Sequence, residues 1–141
     1  MLKAGSIILT VVGGFNLILA AVILVLITIF KKNGPILFIV FGESEVANLD
    51  AKFLATVKCL AILFNACAAG MSLVSLFVIW CALVKGQHWA FWAILLSSGL
   101  TQVMSFVADS AIGTKTLIPN LVLSLLFVIG IGLSGYAIFK R

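Results

Sequence analysis

Four long apolar stretches constrain this chain more than any other feature, each ending at charge, glycine or a polar cluster. The hydrocarbon core of a bilayer is about 30 Å thick and takes roughly 20 apolar helical residues to cross. The first stretch runs from Gly5 to Phe30 and stops at Lys31-Lys32-Asn33-Gly34-Pro35. The second runs from Phe53 to Val84 and stops at Lys85-Gly86. The third runs from Trp89 to Asp109 or Ser110, and the fourth from Leu117 to Phe139, ahead of Lys140-Arg141. All four are continuous in apolar residues, not alternating, which favours helices over a membrane barrel. A helix also satisfies its backbone polar groups internally, as lipid demands. The expectation is an all-α integral membrane protein, a single four-transmembrane-helix bundle over residues 1–141.

Composition agrees. Hydrophobic residues make up 64% and charged residues 9% of the 141, against roughly 45–50% and about 25% in soluble domains. A soluble chain this short cannot hide so much apolar surface. A soluble domain, a disordered chain and, despite the net charge of +5, a nucleic-acid binder are excluded. A cleaved signal peptide is the alternative reading of the first span. Lys3 suits it, but the apolar run is too long and no small-x-small cleavage site follows.

Four spans put both termini on one side, together with the Lys85–His88 connection. That side carries Lys3, Lys85, Lys140 and Arg141 and no acid. The other carries Lys31, Lys32, Lys52, Lys58 and Lys115, with Glu43, Glu45, Asp50 and Asp109. The positive-inside rule counts only Lys and Arg, so the two sides are nearly even; cytoplasmic termini are the expected orientation. Trp80, Trp89, Trp92 and Tyr136 fall near the terminal side, as an interfacial belt would.

The 33–52 connection is the only sizeable loop. Ile36–Phe41 is too short to span, and lies at the interface, dips in or forms a strand. From Ser44, a fair N-cap, Val46, Leu49, Phe53, Val57 and Leu60 recur at helical spacing. The second helix is therefore expected to start before the membrane, resting an amphipathic turn on its surface.

Polar residues inside spans are expensive, so their placement carries information. On the third span Ser98, Gln102, Ser105 and Asp109 form one stripe, and on the second Asn65, Ala68, Ser72 and Ser75 form another. In a tight hairpin about Lys85–His88 the stripes meet level by level: Asn65 opposite Val107–Asp109, Ala68 opposite Ser105, Ser72 opposite Thr101–Gln102, Ser75 opposite Ser98. One reading is packing, with small residues letting helices approach and polar ones bonding across. The other is a ligand-binding polar groove of Asn65, Ser72, Ser98, Gln102, Ser105 and Asp109, joined by Asn16 from the first span. Gly13, Asn16 and Ala20 on the first span, and Asn120, Ser124, Gly130 and Ser134 on the fourth, read as packing faces.

Cys59, Cys67 and Cys81 all lie on the second span. Their odd number and the lack of Cys-x-x-Cys argue against redox chemistry and read as buried free thiols. His88 has no partner in sequence to complete a metal site. No catalytic pair, phosphate loop, metal or cofactor is indicated.

The glycine-rich first helix (Gly13-Gly14), the break followed by Pro35 through Phe41-Gly42 and the polar end of the third helix at Ser105–Asp109 resemble the small four-helix DoxX-like membrane proteins of bacteria. The resemblance implies a four-helix bundle and no particular reaction. Small multidrug transporters share the length and helix number but use a glutamate in the first span, where this chain has no acid.

Three functions stay open. One is a structural or accessory membrane protein acting through helix contacts, as a homo-oligomer or a membrane-complex subunit. Another is a binder or transporter of a lipid or amphipathic small molecule through the groove between the second and third spans. The last is an enzyme on a lipid substrate, working from Glu43 and Glu45 in the acidic loop. Membrane lipids are the expected partners in all three, and nucleic acid in none.

Overall fold

A computed structural model describes residues 1–30, 43–46, 48–112 and 117–140. Among them the elements are α1 (Leu2–Thr28), the single-turn α2 (Glu43–Val46), α3 (Ala51–Val78) continuing into a π turn (Ile79–Leu83), α4 (His88–Ile112) and α5 (Leu117–Phe139). The described residues are all helical apart from turns and include no strand. Four helices are long and apolar enough to cross a membrane: α1, α3 with its π turn, α4 and α5. The chain is thus an all-helical protein whose composition and helix lengths fit an integral membrane protein. Ile36–Phe41 lies outside the described residues.

Helix starts and stops follow local chemistry. The second span does not run unbroken from Ser44: α2 ends at Val46 and α3 begins at Ala51. The reason is Asp50, whose carboxylate accepts the Lys52 backbone N–H at 3.2 Å and so caps α3. At its other end, the Val84 N–H reaches back to Ile79 O at 3.0 Å, five residues instead of four, which makes the π turn. Gly86 N–H then bonds Leu83 O at 2.8 Å and Gln87 N–H bonds Ala82 O at 3.2 Å. This Schellman pair needs a left-handed residue, and Gly86 supplies it with φ 76°. Two residues later α4 starts, so the turn between α3 and α4 is as tight as the sequence requires.

The chain divides into two compact units. One comprises Met1–Phe15 and Met71–Arg141, and the other Asn16–Gly70. In the first, Leu9 and Val12 of α1, Ile79, Ala82 and Leu83 of the π turn, Ala90, Phe91 and Ile94 of α4, and Phe127, Ile131 and Ile138 of α5 form one buried cluster. Small residues set its spacing. A Cβ on Gly5 would lie 2.7 Å from Gly130 O and 2.9 Å from Ser134 N, both backbone atoms of α5. A Cβ on Gly130 would lie 2.8 Å from Leu9 Cγ. The α1 and α5 backbones therefore approach as only glycine allows, the small-x-x-x-small mode of membrane helices. As contacts move up α1 from Gly5 to Leu9 they move down α5 from Ser134 to Gly130, so the two run antiparallel. The α4–α5 pair does the same, with Phe91 packed on Gly135 and Phe127 near Gly99.

In the second unit, Ala20 and Ile27 of α1 and Val46 of α2 are buried. Two threonines on its helices bond their own backbone. Thr28 Oγ1 donates to Leu24 O at 2.6 Å and Thr56 Oγ1 to Lys52 O at 2.9 Å. Such back-bonding leaves no stray donor facing lipid.

Candidate functional site

The polar stripes are placed by α3, α4 and α5, and only part of the expected seam closes. Ser75, buried on α3, has its Oγ 3.2 Å from Ser98 Oγ on α4, at the level the hairpin predicts. One turn further from the hairpin, Ser72 is half-buried. Gln102 was expected to face it, but engages α5 instead: Ser124 Oγ donates to Gln102 Oε1 at 3.1 Å. The cause is helical geometry. Four residues advance about 400°, so Gln102 stands about 40° around the helix from Ser98. Its longer side chain then reaches the neighbouring helix. Its amide oxygen thus serves as the acceptor in this contact between α4 and α5.

Asn16 and Asn65 lie in the other compact unit. Asn65 Nδ2 donates to Ala61 O on its own helix at 2.8 Å. Asn16 is half-buried on α1 between Val12 and Ala20, one turn to either side and both buried. Both asparagines belong to the Asn16–Gly70 unit, whereas Ser72, Ser98, Gln102 and Ser105 belong to the other. Ser105 is half-buried. Asp109 is on α4, with its side chain outside the described atoms, as is that of Ser44.

A lateral groove of about 490 Å³ lies between α4 and α5. Its walls are apolar, including Leu95, Phe106, Phe127 and Val128, and its polar groups are Gln102 and Ser124. Packing beside it is loose, since a Cβ on Gly99 would reach only ordinary contact with Phe127, at 3.7 Å. An apolar trough with an amide and a hydroxyl in its wall suits an acyl chain or another amphipathic group with one polar end.

Two sequence expectations change. The cysteines are free but not buried: Cys59, Cys67 and Cys81 are all exposed. They lie away from the Ser75–Ile79–Ala82 stripe that α3 buries, and a thiol is apolar enough to face lipid. The sequence reading also missed an exposed file on α3. Cys59, Leu63, Ala66, Gly70, Leu73 and Phe77 repeat at alternate steps of four and three and are all exposed. Ala66-x-x-x-Gly70 at its centre is a small-x-x-x-small pair, and nothing lies within 4 Å of a Cβ built on Gly70. Its signal is in the sequence, one face away from the polar stripe that drew attention.

Gly5, Leu9, Phe91 and Gly135 were likewise unassigned, although Gly5 and Leu9 are one turn apart. Among the described residues no three His, Cys, Asp or Glu side chains gather as metal ligands. No family model, curated protein or solved structure matches this chain.

Proposed function

We propose that the chain is a structural or accessory membrane protein that acts through helix contacts, either with further copies of itself or as a subunit of a membrane complex. The observation that carries this is the state of α3. It is the longest span, 33 residues with its π turn, yet only 11% of its most apolar window is buried within the chain. At 1.5 Å per residue it extends roughly 50 Å, well beyond the bilayer's hydrocarbon core. Its exposed file carries Ala66 and Gly70, the same small-residue spacing by which Gly130 and Ser134 bring α5 against α1. Without a hydrophobic force between helices in lipid, such close backbone approach drives association. On this reading both termini face the cytoplasm of a bacterial cell, in keeping with their all-basic charge.

A second reading, favoured by the α4–α5 groove, is a binder or transporter of a lipid or amphipathic small molecule, with Gln102 as its polar contact. Native mass spectrometry from mild detergent separates the two. A defined oligomer, or a stoichiometric protein partner, supports the first. A monomer that retains one discrete lipid or metabolite supports the second, and a bare monomer contradicts both.

A further inference from the structure

The end of the first unit that holds the termini combines exposed cations with exposed rings. The antiparallel contacts of α1 with α5 and of α4 with α5 bring Lys3, Lys85, His88 and Lys140 to this one end. All four are exposed. His88 stacks edge-on to Phe139 at 5.1 Å, and Phe139 also meets Phe91 at 5.3 Å and Trp92 at 6.3 Å. The aromatic cluster thus ties the start of α4 to the end of α5, one residue from Lys140. The Lys140 ammonium donates to the Tyr136 hydroxyl and lies 4.6 Å from the centre of its ring. Trp89 and Trp92 are each more than half exposed.

Within this unit's own sequence Asp109 is the single acidic side chain. The four acids of the chain are Glu43, Glu45, Asp50 and Asp109. The first three belong to the other unit, and Asp109 lies near the opposite end of α4. Exposed Trp and Tyr mark the depth at which lipid head groups lie. At that depth an ammonium held beside rings meets phosphate, and each surface lysine strengthens the attraction.

We propose that this end is a docking surface for anionic phospholipid head groups, with Lys85 and Lys140 binding the phosphate and the Trp89, Trp92 and Tyr136 rings fixing its depth. The surface is independent of the α3 file and of the α4–α5 groove. It also gives the terminal side a physical reason to face the anionic cytoplasmic leaflet, where counting Lys and Arg over the whole chain leaves the two sides nearly even.

The test is retention of phosphatidylglycerol against phosphatidylcholine by the detergent-solubilised chain, read as bound-lipid peaks in native mass spectrometry. Wild type should retain phosphatidylglycerol preferentially. Each of Lys85→Gln and Lys140→Gln should weaken that retention about fivefold. The Lys85→Arg/Lys140→Arg variant, which keeps the charge, should restore it, separating a lost site from a lost fold. Lys52→Gln/Lys58→Gln, outside this end, should leave it unchanged. Equal retention of both lipids by wild type overturns the proposal. So does undiminished retention in Lys85→Gln/Lys140→Gln, or an equal loss in Lys52→Gln/Lys58→Gln.

Discussion

The two ends of the α4–α5 pair share one pair of helices and one antiparallel register, yet they are built oppositely. At the terminal end Phe91 is packed so tightly on Gly135 that a Cβ there would lie 2.9 Å from its ring. Leu83 and Ala90 beside it are fully buried, and α1 closes over the cluster through Gly5 and Leu9. Towards the other end the same helices part around Gly99, Gln102, Ser124 and Val128 and leave the groove. Register therefore does not decide whether two membrane helices close. How closely the side chains press on the glycines does. Where Phe91 presses within 2.9 Å of a Cβ on Gly135, the space is filled. Where glycine meets only ordinary contacts, it stays open.

Glycine-to-alanine substitution breaks this contrast most sharply. Gly5→Ala places a methyl group against backbone atoms of α5 that cannot swing away, and should cost about 1–3 kcal/mol. Gly99→Ala meets Phe127 only at ordinary contact distance. It should cost nothing and recover up to about 1 kcal/mol of helix propensity. Reversible unfolding in mixed micelles measures both. Equal destabilisation by the two would mean that the ends are packed alike.

The polar contacts should give smaller effects. Ser98→Ala removes the hydrogen bond to Ser75 and should cost about 0.6 kcal/mol, the average for such bonds between membrane helices. Ser6→Ala should be close to neutral in the same assay. The Ser6 hydroxyl is buried and has no hydrogen-bond partner among the described residues, so its removal forfeits no bond. A loss there as large as that of Ser98→Ala would show that Ser6 is bonded in the membrane.

The order of these effects reflects what the sequence made legible. Spans were readable because length and uninterrupted apolarity are one-dimensional properties, and their ends fell within a few residues of Lys31, Lys85 and Lys140. Ser75 with Ser98 was readable because Gly86 makes the connection so short that levels can be counted outward from it. Gln102 was misassigned because a stripe one turn apart drifts around a helix, and the sequence does not show a third helix waiting for the drifted residue. The Asn65 bond to its own backbone was not legible, because an amide can reach either a facing helix or the carbonyl one turn back. The cysteines were misassigned because a habit of soluble cores, small apolar residues inside, does not hold where the solvent is lipid. For the same reason the Ala66 and Gly70 file passed unnoticed: in a membrane, small residues on an outer face are as informative as polar residues on an inner one.

The proposal that α3 is the contacting span is tested most directly by stoichiometry in lipid nanodiscs, counted by native mass spectrometry for wild type and Gly70→Leu. Gly70 has open space about it, so leucine disturbs no described contact within the chain and, gaining helix propensity, should not lower stability in mixed micelles. Wild type should appear as a defined oligomer or a stoichiometric complex, and Gly70→Leu as the single chain. The same stoichiometry in both, or a single chain in both, would contradict the account.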